Sequence, residues 1–337
     1  QKHETPLIIA AKYGYFDLVR ILLLRQADPN VQDDQGNTAL YYAVDIQNKG
    51  IINVLVLDRN HSLLNQTNNK KENALIIATK LHCDKVVRVF LEYHANINQQ
   101  DIHGNTALHY AVQMNILDII NDLTYSQANI TIKNNEGHSI LLRSCMENSN
   151  EKVIKWLLTM NINPYIIDSH GMTALMYAAR NPSLEFVVRY FIDMNNEKVL
   201  SQVDNNGENV LFHAIYNLKV FKLLVKTSID INHRNNDQDT VLLYCCKHED
   251  ARFAIPFLVN HPELDVNIPD KEGMTTPLYL VENGGRIEII KSLLRLGADV
   301  NHQDHLGNTA LYYAVDLDDM QSIQILAFYK ADLHIKN

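Results

Sequence analysis

The chain of 337 residues is 46% hydrophobic and 20% charged, a composition typical of a soluble folded protein. Its net charge of −9 argues against a general nucleic-acid binder, and no run of 18 apolar residues predicts a membrane-spanning helix. Four cysteines at irregular spacing do not match a disulfide-rich secreted domain, and no secretory leader is visible at the start. We therefore expect a cytoplasmic protein.

A three-residue motif recurs along the whole chain. It consists of Thr, Ser or Asn, then an apolar residue or proline, and then Leu. It starts at residues 5, 38, 73, 106, 139, 173, 209, 240, 276 and 309, so successive copies are 31 to 36 residues apart. A period of this length indicates a repeat architecture, in which each unit buries its apolar face against its neighbours. We predict a single domain over residues 1–337, with repeats that start near residues 1, 33, 68, 101, 134, 168, 204, 235, 270 and 304.

Each repeat shows the same order of local signals, illustrated by the second. Gly36 lies in a polar turn, where glycine adopts a positive φ at little cost. Thr38 is suited to cap a helix, and Leu40 and Ala43 share one face of that helix because they are three residues apart. A second apolar helix, such as the one predicted over Asp17–Arg25 in the first repeat, completes the unit.

These letters resemble the ankyrin repeat family. The resemblance is carried by HETPLIIAAKYGYFDLVRILLLRQADPN at residues 3–30, DIHGNTALHYAV at residues 101–112 and LLRLGADVN at residues 293–301, and it extends over essentially the whole chain. It implies an all-α repeat solenoid of about ten stacked helix-turn-helix repeats with projecting β-hairpin fingers.

Two stretches, Gly36–Asp45 and Gly307–Asp316, carry the identical sequence GNTALYYAVD. Well-formed turn motifs recur about every 68 residues, so the copied module was a pair of repeats. Two turns lack the glycine and carry Lys71 and Gln238 in its place. Because a positive φ costs a residue with a Cβ about 1–2 kcal/mol, we expect distorted or shifted fingers at both positions.

No motif for a phosphate-binding loop, a dinucleotide fold, a serine nucleophile or a zinc protease is present. The adjacent pair Cys245–Cys246 lacks the spacing of a zinc knuckle, and in register it occupies positions of small helix residues. His109 and His213 fall at or next to the position where the family places a histidine that hydrogen bonds into the finger. We therefore predict no catalytic residue, no cofactor site and no metal site, and a protein that is not an enzyme.

The resemblance implies that a partner meets the finger tips and the exposed side of the first helices. Carried over by register, the candidate partner-binding residues are Asp34, Gln35, Asp45, Ile102, His103, Asn105, Gln113, Met114, Ser169, His170, Met172, Arg180, His305, Leu306 and Asp316. Of these, Ile102, Met114 and Met172 are apolar residues expected at exposed positions, where partner contacts are common. Repeats 4 to 6 are therefore the predicted centre of the interface.

Two aromatic features have two interpretations each. One tyrosine recurs in every module, at Tyr42, Tyr110, Tyr177, Tyr244 and Tyr313. These residues either pack between adjacent first helices or form a row of partner contacts. Trp156, the only tryptophan, either shields the edge of the next helix pair or marks a second, convex interface.

The sequence favours a module that binds another protein, with no nucleic acid, membrane or small-molecule substrate. One alternative is a targeting or inhibitory segment of a larger enzyme or of a secreted effector of an intracellular microbe, whose catalytic domain lies outside this chain. The apolar first repeat, where a polar capping repeat would be usual, fits such a segment. A further alternative is a spacer, which would have no specific partner.

Overall fold

The structure is a computed structural model that describes residues 3–57, 62–147, 149–160 and 162–337. These residues form short α-helices joined by turns, which confirms the all-α fold class. They divide into two compact units, Gln1–Ser169 and His170–Asn337. Within the described ranges, no helix has the length and apolar character needed to cross a membrane.

The first unit is a stack of helix pairs. Its helices are α1 Pro6–Lys12, α2 Phe16–Leu24, α3 Ala39–Asp45, α4 Lys49–Leu57, α5 Ser62–Asn65, α6 Ala74–Lys80, α7 Asp84–Glu92, α8 Ala107–Gln113, α9 Leu117–Tyr125, α10 Ile140–Met146 and α11 Glu151–Leu158. The first helices of successive repeats contact one another in the order α1, α3, α6, α8 and α10. Second helices contact one another in the same way, α2 against α4 and α7 against α9.

The second unit repeats this arrangement. Its helices are α12 Ala174–Arg180, α13 Glu185–Asp193, α14 Glu197–Leu200, α15 Val210–Ala214, α16 Leu218–Leu224, α17 Val241–Lys247, α18 Ile255–Leu258, α19 Thr276–Glu282, α20 Ile287–Arg295, α21 Ala310–Asp316 and α22 Met320–Phe328, with 3₁₀ helices at Pro182–Leu184 and Glu249–Ala254. Helix α12 contacts α15, and α19 contacts both α17 and α21.

Most first helices have only seven residues, so capping and packing must stabilise them together. The Asn73 side chain accepts a hydrogen bond from Ile76 N at 3.0 Å, and Thr173 Oγ1 accepts one from Met176 N at 3.2 Å. A helix this short is not stable alone in water. Leu75 and Ala111 are fully buried, so contacts with neighbouring repeats supply the remaining stabilisation.

The fingers are tight turns organised by their first side chain. In the second repeat, Asp33 Oδ1 accepts hydrogen bonds from the backbone N–H groups of Gln35 and Asn37, both at 2.9 Å. Gly36 N–H donates to the Asp33 carbonyl at 2.9 Å, and Asp33 N–H donates to the Asn37 carbonyl at 3.0 Å. The same four bonds close the turns that begin at Asn68, Asp101, Asn134, Asp204, Asp270 and Asp304.

The expected β-hairpins do not form as pairs of strands. No β-strand is present in the described ranges, and pairing is limited to isolated bridges such as that between Arg234 and Thr240. The physical reason is the closed turn itself. The backbone N–H and C=O groups of the turn bond to one another within five residues and to the neighbouring turn. They therefore do not form the second pair of hydrogen bonds that a β-ladder needs.

The expectation of distorted fingers at Lys71 and Gln238 is wrong. Both residues adopt the left-handed conformation, with φ of 58° and 63°. Lys71 N–H donates to the Asn68 carbonyl at 2.8 Å and Gln238 N–H to the Asn235 carbonyl at 2.9 Å, as Gly36 does in the regular turn. The hydrogen bonds of the turn outweigh a local cost of about 1–2 kcal/mol.

Replacing Lys71 with glycine should therefore stabilise the chain by about 1 kcal/mol, because glycine adopts this φ without strain. Lys70→Gly is the matched control, since Lys70 precedes it in the same exposed turn without a positive φ. Glycine there only adds freedom to the unfolded chain and should lower stability. Urea unfolding followed by circular dichroism measures both. Equal losses in the two variants would mean that Lys71 carries no strain.

Candidate partner-binding surface

Backbone hydrogen bonds join the tips of successive fingers. In the first unit, Asn69 N–H donates to the Gln35 carbonyl at 3.0 Å, and Ile102 N–H donates to the Lys70 carbonyl at 2.9 Å. The same bond joins Asn135 to His103, and in the second unit it joins Asn205 to His170, Asn236 to Asn206 and His305 to Glu272. Within each unit these bonds set the spacing of the turns, so side chains at the tips project from an ordered backbone.

Most of the predicted partner-binding residues are exposed. These are Asp34, Gln35, Asp45, Ile102, His103, Gln113, Met114, Ser169, His170, Arg180, His305, Leu306 and Asp316. They fall into two groups in each repeat: the second and third residues of the turn, and the end of the first helix. Both groups leave their side chains accessible to a partner.

The expected exposure of Asn105 and Met172 is wrong. Met172 is only 5% exposed, and Asn105 is also buried. Both follow the turn glycine, where the chain is drawn back toward the helices: Asn105 N–H donates to Asp101 Oδ1 at 2.9 Å. The equivalent residues Asn37 and Asn308 are buried for the same reason.

The recurring tyrosine connects the first helix to the turn of the same repeat by a hydrogen bond, as Tyr42, Tyr110 and Tyr313 show. Tyr42 donates its hydroxyl hydrogen to Asp33 Oδ2 at 2.5 Å, and Tyr313 donates to Asp304 Oδ2 at 2.6 Å. Tyr110 makes the same bond to Asp101 at 2.5 Å. The carboxylate thus accepts two backbone N–H groups with one oxygen and the tyrosine hydroxyl with the other, so these three tyrosines have a structural role within their own repeat.

The pair Asp304–Tyr313 shows the electrostatic effect of this bond. Burial acts to raise the pKa of Asp304, but hydrogen bonds from the Tyr313 hydroxyl and from backbone N–H groups outweigh it and hold that pKa below its usual range. Burial, reinforced by the bond to Asp304, raises the pKa of Tyr313 to about 12. The carboxylate is therefore charged and the phenol neutral near pH 7.

Tyr244 differs because its turn begins with Asn235, which has no carboxylate. The Tyr244 hydroxyl makes no hydrogen bond in the part of the chain that the structure describes. Its ring instead meets Phe212 edge to face, with centroids 5.5 Å apart, and lies 4.2 Å from the His248 ring. Aromatic contacts replace the charged hydrogen bond in this repeat.

An ion pair also joins the end of the first helix to the finger. Lys80 Nζ lies 2.6 Å from Glu72 Oε1, and the pair Lys12–Glu4 has the same separation. Lys80 also lies 4.5 Å from the centre of the Tyr110 ring in the next repeat, within cation–π range. The lysine thus connects its own turn to the neighbouring tyrosine.

One cluster could be mistaken for a metal site. Ligand atoms of Asp204, Glu208 and His213 lie within 4.8 Å of one another. However, His213 Nδ1 accepts from Arg180 Nη2 at 2.9 Å, so the ring proton resides on Nε2, 3.3 Å from Asp204 Oδ2. A metal on Nε2 would move that proton to Nδ1, against the guanidinium. The cluster is therefore better suited to holding the turn, with His213 in the position of the recurring tyrosine.

The cysteines have the character of small buried helix residues. All four are free and buried. Burial raises the pKa of the Cys145 thiol and of the Cys246 thiol to about 12, so neither is a reactive thiolate near pH 7. Trp156 is half-buried, which leaves both of its interpretations open.

The fold and the surface together define a tandem-repeat protein that stacks helix pairs and presents ordered turns. One family model, for ankyrin repeats in three copies, matches residues 46–134, 118–202, 141–235, 187–270, 220–304 and 242–337. A second, for ankyrin repeats in many copies, matches residues 1–43. The chain belongs to the ankyrin repeat family.

Two relatives illustrate the range of similar proteins. Neurogenic locus notch homolog protein 1 of Xenopus laevis is 33% identical over 138 residues, which is 41% of this chain and 5% of that protein. An ankyrin repeat protein of Acanthamoeba polyphaga mimivirus is 21% identical over 96% of this chain and 46% of its own length. The chain thus spans less than half the length of each.

Replacing Tyr110 with phenylalanine should lower stability by about 1–2 kcal/mol, because it removes a hydrogen bond to the charged Asp101. Tyr244→Phe is the matched control. It removes a hydroxyl without such a bond and keeps both ring contacts. Thermal and urea unfolding compare the two. A loss in Tyr244→Phe as large as that in Tyr110→Phe would contradict this role of the carboxylate.

Acid should destabilise the chain through its buried histidines. Burial lowers the pKa of His109 to about 4, so the folded state disfavours the proton that the unfolded histidine binds below about pH 6.5. This contribution is complete above pH 6.5 and is lost as pH falls toward 4, by about 3 kcal/mol at pH 4. Urea unfolding at pH 7, 5 and 4 measures the loss.

His109→Met should remove that part of the pH dependence. Methionine already occupies the equivalent position in another repeat of this chain. There the Met176 sulfur accepts a hydrogen bond from Thr173 N–H at 3.5 Å. His103→Met, at an exposed turn position, is the control and should leave the pH dependence unchanged. An unaltered acid loss in His109→Met would show that His109 is not its source.

Proposed function

We propose that this chain binds a partner protein along its finger tips and the ends of its first helices, and that it does so without catalysis. Ankyrin repeats are in general protein–protein interaction modules. The observation that carries the proposal is the hydrogen-bonded row of tips, which presents outward side chains from an ordered backbone. Such a surface loses little conformational entropy on binding, which favours affinity.

Repeat 4 supplies the strongest candidate contacts. Ile102 and Met114 are exposed apolar side chains, one at the finger tip and one at the end of α8. Both side chains remain accessible to solvent, and ordered apolar side chains on a surface are favourable anchors for a partner. His103 and Gln113 flank them and can supply hydrogen bonds. We place the centre of the interface here, and Met172 is no longer part of it.

The chemistry of the described residues agrees with a binding role. The carboxylates of the turns accept backbone N–H groups, a lowered pKa keeps His109 neutral near pH 7, and the cysteines are buried thiols. Each of these groups therefore has a structural role. The net charge of −9 suits a protein partner better than nucleic acid. A cytoplasmic location is part of the same proposal, since free cysteines persist in a reducing compartment.

The double variant Ile102→Ala/Met114→Ala should lose the partner without losing stability, because both side chains are exposed. The immobilised wild-type chain and the variant capture proteins from one cell lysate, and quantitative mass spectrometry compares them. At least one protein should fall more than tenfold with the variant, equivalent to about 1.4 kcal/mol or more.

Tyr125→Ala is the matched control, an exposed aromatic residue at the end of α9 that lies outside the finger tips and the first helices. It should leave the captured protein unchanged, and all three chains should melt at the same temperature. If no protein depends on Ile102 and Met114, the proposed centre of the interface is wrong. If the wild-type chain captures no specific protein at all, the spacer interpretation replaces the binding proposal.

A further inference from the structure

An acid, a lysine and a tyrosine form the same three-part contact at three places in the chain. The acid precedes the capping residue of the first helix, the lysine follows it by eight positions, and the tyrosine belongs to the next repeat. In each case the lysine Nζ lies 2.6 Å from a carboxylate oxygen and 4.5 to 5.8 Å from the centre of the ring. The three sets are Glu4–Lys12–Tyr42, Glu72–Lys80–Tyr110 and Asp239–Lys247–Tyr279.

Repeats 7 and 8 have the acid and the ring of this contact but not the lysine. Glu208 occupies the position of the acid, and Tyr244 of repeat 8 occupies the position of the ring. Tyr216 stands eight positions after Glu208, where the other sets have lysine. Among the described residues, no lysine or arginine forms an ion pair with Glu208. The carboxylate therefore lacks the ammonium group that its counterparts hold.

The charges near Glu208 do not replace that ammonium group. Arg180 is the cation that acts on Glu208, but its Nε and Nη2 lie 3.2 and 2.9 Å from His213 Nδ1, so these donors are already used. Asp204 and Asp237 also act on Glu208 and have the same charge. Burial, reinforced by these acids, raises the pKa of Glu208. A cation at this position would stabilise the charged carboxylate.

Two tyrosine rings and a second carboxylate lie at the same place. The Tyr216 side chain is 52% exposed, and its hydroxyl donates a hydrogen bond to Asp250. Tyr244 is within electrostatic reach of Glu208, Tyr216 and Asp250. Glu208 and Tyr244 are half-buried, so the group remains accessible from solvent. Aromatic rings and carboxylates both attract an ammonium group, which makes this a suitable environment for one.

We propose that Glu208, Tyr216, Tyr244 and Asp250 form a lysine site, which binds the ammonium group of a lysine side chain of the partner protein. The partner supplies the group that Lys80 supplies within the chain between repeats 3 and 4. Lysine is the expected residue because all three occupied counterparts hold a primary ammonium. The inference rests on the proposed function, since it assigns the chemistry of one contact of that partner.

A single lysine side chain is the probe that tests the site. Nα-acetyl-lysine methylamide is titrated into the intact chain, and amide signals near Glu208, Tyr216 and Tyr244 are followed by NMR. Nα-acetyl-norleucine methylamide, which lacks the ammonium, is the matched control ligand. The lysine probe should shift these signals saturably, with a Kd in the millimolar range expected of so small a ligand. The norleucine probe should not shift them.

Two variants separate the charge of the site from its accessibility. Glu208→Gln removes the central charge and should weaken the lysine probe at least tenfold. Tyr216→Lys places an ammonium of the chain itself in the site, as in repeats 1, 3 and 8, and should abolish probe binding. Glu263→Gln, at an exposed acid in the loop after α18, is the matched control and should bind like the wild type. Circular dichroism checks that all variants are folded.

Three results would overturn the proposal. These are equal shifts with the norleucine probe, unchanged affinity in Glu208→Gln or Tyr216→Lys, and no saturable shift in the wild type up to about 100 mM probe. Since the probe needs no partner, the outcome is independent of the lysate capture. A chain that captures a protein but does not bind the probe contradicts the lysine site alone, whereas one that binds the probe but captures no protein contradicts the proposed function.

Discussion

The side chain that opens each turn is the element on which the rest of the structure depends. Asp33 shows why: one carboxylate oxygen accepts two backbone N–H groups, and the other accepts the Tyr42 hydroxyl. The first interaction closes the finger and the second attaches it to the helix that follows. Charged hydrogen bonds of this kind are stronger than neutral ones. Asn68 and Asn134 accept the same two backbone N–H groups without a charge, so it is the pattern of these bonds that keeps a five-residue turn ordered without a β-ladder.

Because the turns are ordered, they hold the side chains at their tips on a fixed backbone. The tips bond to one another through the backbone, so the amino acids at the second and third turn positions are free to vary without loss of the fold. Ile102 and His103 occupy these positions in repeat 4, and His305 and Leu306 occupy them in repeat 10. The first residue of each turn thus stabilises the protein, whereas the residues at the tip are those proposed to contact a partner.

The repeats also show how far the pattern of letters predicts a site. The period, the helix pairs and the buried cysteines follow from local spacing, and the structure confirms them. Thr106 and Thr173 cap their helices as expected, whereas the Thr38 side chain makes no capping hydrogen bond. Asn105 and Met172 were predicted on the surface because they stand in the turn motif, yet both are buried. Only the path of the backbone after the glycine decides that direction. Lys71 was expected to distort its turn, but the surrounding hydrogen bonds hold it in the left-handed region.

The sequence by itself determined the family, the helix pairs and the positions of the turns, because each depends on residues within one repeat. The tertiary structure decided which side chains are buried and which tyrosines bond to a carboxylate. Val44 and Val315 make the distinction clear: they stand in identical decapeptides and differ from 0% to 60% in exposure. The reason is that burial is supplied by contacts with neighbouring repeats, which the pattern of letters within one repeat does not record.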